Sequence, residues 1–146
     1  AASDVYKRQL YNMAARDEKM AEALCHAIAD VDPDLVLLAL SGSQMIASAR
    51  RCGIPCASEV FADRAYESDG TLVPRSKQGA VITDEEKAVS QVIGMAENGT
   101  VTATNGAQIS IEAESICVHG DGEKALEFVK RIRERLVQKG IEIKSF

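Results

Sequence analysis

Six apolar residues in a row, Leu35-Val36-Leu37-Leu38-Ala39-Leu40, lie between Asp32-Pro33-Asp34 and Ser41-Gly42-Ser43. A run this short, apolar at both alternating positions, predicts a strand buried on both faces, as parallel sheets require. Its surroundings agree. Met20, Leu24, Ile28 and Val31 recur at helical spacing with Ala27 on the same face, so 17–31 is predicted as a helix capped by Asp17 and broken at Asp32-Pro33. Ser41-Gly42-Ser43 opens a further helix that Gly53 closes, and Pro55 to Val60 reads as the next strand. Helix, strand, helix, strand implies an α/β fold of parallel strands with helical crossovers.

The 146 residues suit one domain or a piece of a larger one, and 46% hydrophobic with 27% charged residues is ordinary for a globular chain. With 17 basic and 22 acidic residues the net charge is −5, which argues against a nucleic-acid binder driven by general positive charge. No apolar run approaches the roughly 20 residues of a membrane span, and the N-terminal residues carry no apolar core of a signal peptide. The expected setting is the cytoplasm, away from membranes. Cys25, Cys52, Cys56 and Cys117 then read as reduced thiols. Cys52 and Cys56 lack the second ligand pair that a zinc site needs.

Residues 61–82 break the pattern. They hold Gly70, Pro74 and Gly79 without sustained periodicity, and unstructured segments of this length in compact domains are usually functional or disordered. This one carries Asp63, Arg64, Tyr66 and Arg75, which favours function. Thr83-Asp84-Glu85-Glu86 reads as a capping box, with Thr83 bonding forward and Glu86 reaching back, on a helix that runs to about Glu97 and ends at Asn98-Gly99. Residues 101–103 and 107–111 flank Asn105-Gly106, which suggests a short β excursion or a hairpin. Ser115 to Val118 reads as a short buried strand running into His119-Gly120-Asp121. A helix from about Glu123 to Lys139 follows, with Ala125, Phe128, Val129, Ile132 and Leu136 as its core face. Its Lys and Arg residues mix with Glu123, Glu127 and Glu134 as a solvated face. Ile141-Glu142-Ile143 alternates and is predicted as a closing strand.

Two groups of residues can carry chemistry. His119-Gly120-Asp121 lies past the C-terminal end of a strand, the edge where β/α folds collect catalytic loops. His119 can shuttle protons, Asp121 can orient it, and both can reach one metal ion; equally, Asp121 can be a helix cap and His119 a turn residue. Glu59-Val60-Phe61-Ala62-Asp63-Arg64 brings two carboxylates and a guanidinium to another strand end. Arg64 can clamp a carboxylate or phosphate, or serve in a structural ion pair, and Arg75 is a second anion-binding candidate or an exposed charge. The P-loop and the Gly-x-Ser-x-Gly elbow are both absent from the sequence. Ser41-Gly42-Ser43 can cradle phosphate or cap a helix.

Glu59-Val60-Phe61-Ala62-Asp63-Arg64-Ala65-Tyr66, Gly70-Thr71-Leu72-Val73-Pro74-Arg75 and Ser115-Ile116-Cys117-Val118-His119-Gly120-Asp121, in this order, resemble the LamB/YcsF family, and Leu10-Tyr11-Asn12 resembles the end of a further family segment. The resemblance covers Leu10 to Phe146. It implies part of an irregular β/α barrel of the glycoside hydrolase/deacetylase type. Ala1 to Gln9 depart from the family and look like an adapter-like leader. The expected organisation is therefore a non-native leader at 1–9 and the C-terminal portion of a single barrel domain at 10–146.

The implied activity is an ATP-dependent 5-oxoprolinase, which opens the lactam of 5-oxoproline to L-glutamate and works with two further subunits, B and C. ATP, with magnesium, would phosphorylate the amide oxygen, and water would then open the ring. By this resemblance His119, Asp121, Glu59 and Asp63 are candidate catalytic residues, and Arg64, Arg75 and Tyr66 candidate substrate- or phosphate-binding residues. A further metal is left open. The competing readings are a metal-dependent deacetylase-like hydrolase, by fold analogy, and a non-catalytic assembly module. The chain on its own is expected to be inactive, and poorly soluble or dimeric through exposed sheet edges.

Overall fold

A computed structural model describes residues 9–119 and 125–145, in two compact units that divide between Glu59 and Val60.

In the first unit the backbone is helical at 9–14 (α1) and again over Glu18–Val31 (α2). The Asp17 carboxylate starts α2 by accepting the Met20 N–H at 3.0 Å, satisfying one of the donors a helix start leaves open. Strand β1 (Leu37–Leu40) leads to α3 (Gln44–Cys52) and then β2 (Cys56–Phe61). The two strands pair in parallel, with Leu37 opposite Cys56 and Leu40 opposite Glu59. Ser43 caps α3 through the Ile46 N–H, so the Ser-Gly-Ser turn serves as a helix start. Gly53 ends α3 at φ 72°, a left-handed conformation that costs glycine little, with its own N–H and that of Ile54 returned to Arg50 and Ala49.

The core of this unit is apolar. Ala14, Ala21, Ala39, Met45 and Ile46 form one cluster, joined by Met20, Leu24 and Leu37. Cys25, Ala49 and Ile54 form a second, with Cys52 and Cys56 beside it, and burial pushes the Cys25 thiol pKa up. All four cysteines are free thiols. One expectation changes in part: β1 is buried on both faces only at its C-terminal end. Leu37 and Ala39 share the face packed by helix residues, whereas on the other face Leu40 is buried but Leu38 is 40% exposed, and Leu35 and Val36 precede the strand and are also exposed.

The second unit begins at the end of β2. Helix α4 (Glu85–Asn98), the antiparallel pair β3 (Thr100–Thr102) and β4 (Gln108–Ser110), β5 (Ser115–Cys117) and α5 (Ala125–Gln138) follow. Asp84, not Thr83, caps α4, its carboxylate accepting from the Glu86 and Lys87 N–H groups. A carboxylate here also meets the positive end of the helix dipole, which a Thr hydroxyl does not. Glu86 turns outward to pair with Arg131, so the reciprocal half of the expected capping box is absent. The Asn105-Gly106 hairpin forms as expected. Strand β5 is half-buried rather than buried. On α5, Phe128, Ile132 and Leu136 are buried, but Val129 is exposed.

The expected closing strand at 141–143 is not formed. The Gly140 N–H bonds the Val137 carbonyl and the Ile141 N–H bonds the Leu136 carbonyl, a Schellman closure that commits the start of this segment to the helix end. No helix among the described residues is long and apolar enough to cross a membrane.

Candidate functional site

Residues 61–82 have no helix and no long strand, yet their backbone is closely tied. Isolated bridges join Arg64 to Val81 and Tyr66 to Leu72. The Ile82 N–H donates to the Asp63 carbonyl, the Val73 N–H to that of Ala65, and the Ala65 N–H to that of Ala80. Three side chains complete the restraint. Arg64 is buried, its Nε donating to the Ala80 carbonyl at 3.2 Å and its Nη2 to that of Val73 at 2.5 Å. Tyr66 is fully buried, and its hydroxyl accepts the Phe61 N–H at 2.8 Å. Gln91, from α4, aims its amide nitrogen at the carbonyls of Phe61, Ala62 and Arg64 at 3.0 to 3.3 Å.

That framework sets Asp63 against His119. The Asp63 carboxylate oxygens lie 2.8 and 2.9 Å from His119 Nδ1, and both side chains are about one-fifth exposed. His119 leaves β5 beside the end of β2, where the Ala62 N–H donates to the Cys117 carbonyl. The Phe61 ring stacks on the imidazole with centroids 5.9 Å apart. On the outer side, Arg75 Nη2 lies 2.8 Å from His119 Nε2. Arg75 itself is exposed.

This geometry assigns the proton on His119. A guanidinium has donors and no acceptor, so Nε2 must offer its lone pair to Arg75. The ring proton is then on Nδ1 and donates to Asp63. The imidazole is neutral in this arrangement, and its bond to Asp63 is charge-assisted rather than an ion pair.

The structure therefore brings three expected residues together: Asp63, His119 and Arg75. Arg64 and Tyr66 stand behind them, holding backbone. Glu59 belongs to the first unit, where it accepts the Tyr11 hydroxyl at 2.7 Å. Asp121 lies outside the described residues. Among the described residues, no group of three or more His, Cys, Asp and Glu is arranged to hold a metal ion. Sequence reasoning missed Gln91 and Phe61. Gln91 had a signal: it is a polar residue between Ala88, Val92 and Met95, all buried on α4.

A family model described as the LamB/YcsF family matches residues 7–146. The chain belongs to the LamB/YcsF family. A protein from Clostridium beijerinckii, named as the A subunit of 5-oxoprolinase, is 58% identical over 134 residues, covering 92% of this chain and 52% of that protein. One of the same name from Staphylococcus carnosus is 54% identical over 134 residues, covering 92% and 53%. The crystal structure of a lactam utilization protein from Thermus thermophilus superposes with a TM-score of 0.82 at 36% identity, over 94% of this chain and 54% of that one. The LamB/YcsF chain thus spans about half the length of the relatives it matches. Its α/β fold, with parallel strands and helical crossovers, is the family's barrel type.

Proposed function

We propose that this chain is part of the A subunit of an ATP-dependent 5-oxoprolinase and that Asp63, His119 and Arg75 line its ring-opening site. The names of the relatives support the substrate class. The observation that carries the site is the hydrogen-bonded line from Asp63 through His119 to Arg75 at a strand end.

The chemistry asks for a base, something to orient it and a cation. Hydrolysing a lactam requires water to lose a proton as it attacks the carbonyl carbon, and the ring nitrogen to gain one as the C–N bond breaks. His119 Nε2 is the atom of this chain suited to take the first proton, with Asp63 on Nδ1 setting the tautomer and offsetting the positive charge that develops on the ring. Phe61 fixes the ring plane. Arg75 suits an anionic oxygen.

ATP, when bound with magnesium, would supply a phosphoryl group to the amide oxygen that activates the carbonyl carbon toward water; the ring would open by C–N cleavage, and the phosphoryl group would be released afterwards as phosphate by a second water. The described residues fit one anionic group at Arg75 rather than a whole nucleotide, because the Arg64 guanidinium is directed at loop carbonyls. The remaining nucleotide contacts are assigned to the rest of the full-length protein or to partner subunits B and C. A cytoplasmic setting suits a reaction that draws on ATP.

The test compares three proteins for ATP-dependent glutamate release from 5-oxoproline with subunits B and C present. They are this chain, this chain joined to the N-terminal half of the Clostridium beijerinckii relative, and the joined protein with His119→Ala. Activity is expected only in the second, with His119→Ala lowering it on the order of 10²-fold or more. A joined protein that folds but releases no glutamate overturns the substrate. Full activity in His119→Ala overturns the site.

A further inference from the structure

His119 Nε2 has one in-plane lone pair, and the Arg75 guanidinium occupies it. A base cannot accept a proton from water at that atom while an Arg N–H points at it. Contact with Arg75 and use of Nε2 as a base are therefore mutually exclusive. Arg75 has the means to leave. Its side chain is exposed, and among the described residues its hydrogen bond is the one to His119. Its backbone stays put, because Arg64 ties the carbonyls of Val73 and Ala80 on either side of it. Only side-chain rotation is needed, which exposed residues complete in picoseconds to nanoseconds.

We propose that Arg75 is an anion-operated cap on the base. Without ligand it masks the Nε2 lone pair. An oxyanion of the ligand, of the phosphate or carboxylate class, draws the guanidinium away and unmasks Nε2. The driving force is the exchange of a neutral acceptor, imidazole, for a charged one, which makes the stronger bond. The base is then free only when an anionic ligand is in place. This inference rests on the reading of His119 as the base, but its test reads the ring itself and no turnover.

The chain has two histidines, His26 and His119, so ring-¹⁵N spectra contain two imidazoles, which His26→Gln assigns. At a fixed pH where the rings are neutral, His119 is expected as the Nδ1–H tautomer with a hydrogen-bonded Nε2. Inorganic phosphate and 5-oxoproline are titrated separately, one supplying a phosphate oxyanion and the other a carboxylate. Whichever is the trigger should move Nε2 to its position in Arg75→Ala, where it has no donor. Arg75→Ala should bind that ligand at least tenfold more weakly and show no further change at Nε2. Arg75→Lys, which keeps a donor, should restore the response in part.

The proposal is overturned if His119 carries its proton on Nε2 without ligand. It is overturned equally if neither anion binds at millimolar concentration, or if one binds and leaves Nε2 unmoved. A cap that responds to phosphate in a protein that does not open 5-oxoproline would retain this inference and remove the proposed substrate.

Discussion

In the first unit, α2 and α3 pack Ala21, Met45, Ile46 and Ala49 against β1 and its neighbours in two apolar clusters, and the polar side chains buried beside them are serines, small and uncharged. In the second unit, residues 61–82 are held by a buried guanidinium, a buried phenol and a carboxamide, each directed at backbone. Apolar packing is non-directional and tolerates small shifts. Hydrogen bonds to carbonyls are directional, so they suit a segment that must place Asp63 and Arg75 on two sides of one imidazole. The site sits on the region whose order depends on polar contacts.

Substitutions can break or sharpen that contrast. The largest effect is expected at Ile46, which is 3% exposed in the apolar core. Ile46→Ala should cost about 3 kcal/mol in urea unfolding, from lost burial and a cavity, while the His119 ring signals stay unchanged. Arg64→Met should cost about 2–3 kcal/mol, since the Val73 carbonyl loses its Arg64 donor and the Ala80 carbonyl keeps only the Ala65 N–H, and here the His119–Arg75 signals should change as well. If Arg64→Met leaves those signals intact, the claim that polar restraint positions the site fails.

Gln91→Leu should cost about 1–2 kcal/mol and raise hydrogen exchange at residues 61–64 selectively. Ser43→Ala removes a helix cap in the first unit and should cost about 1 kcal/mol, with no effect on the His119 ring.

The smallest effect concerns pH. The Lys77 hydrogen bond, helped by Thr104, holds the Glu67 carboxyl below the usual carboxylate range. Its folded pKa lies below its unfolded one, so its stabilisation is present above the unfolded value and is lost as pH falls through the folded value. A Tm series in acid should show a small decline over that window, absent in Lys77→Ala.

Much of the backbone was legible because its causes are local. Asp17, Ser43, Gly53 and Gly99 mark the helix ends they were expected to mark, and Asn105-Gly106 makes its hairpin. Local rules failed where two adjacent residues could do one job. Thr83 and Asp84 can each cap a helix, and the choice fell to the carboxylate, with Glu86 drawn to Arg131 rather than back to the cap. They fail also at Ile141-Glu142-Ile143, where alternation alone predicts a strand although a strand needs a partner, and the segment begins in the closure of α5. Arg64 illustrates the limit for function. A guanidinium beside a carboxylate reads as an anion clamp, but burial among carbonyls makes it a support for the loop.

What the sequence determined by itself was the order of elements up to α5, the helix ends at Asp17, Ser43, Gly53 and Gly99, the parallel pairing of the first two strands and a set of residues able to do chemistry. Periodicity, capping and turn preference act over a few residues, so they can be read directly from the order of amino acids. Only the tertiary structure decided which of those residues meet. His119 lies 56 residues from Asp63 and 44 from Arg75, and no local preference spans such separations. Their meeting depends on β5 settling beside the end of β2 and on Arg64, Tyr66 and Gln91 holding the segment between, contacts that exist only once the chain has folded.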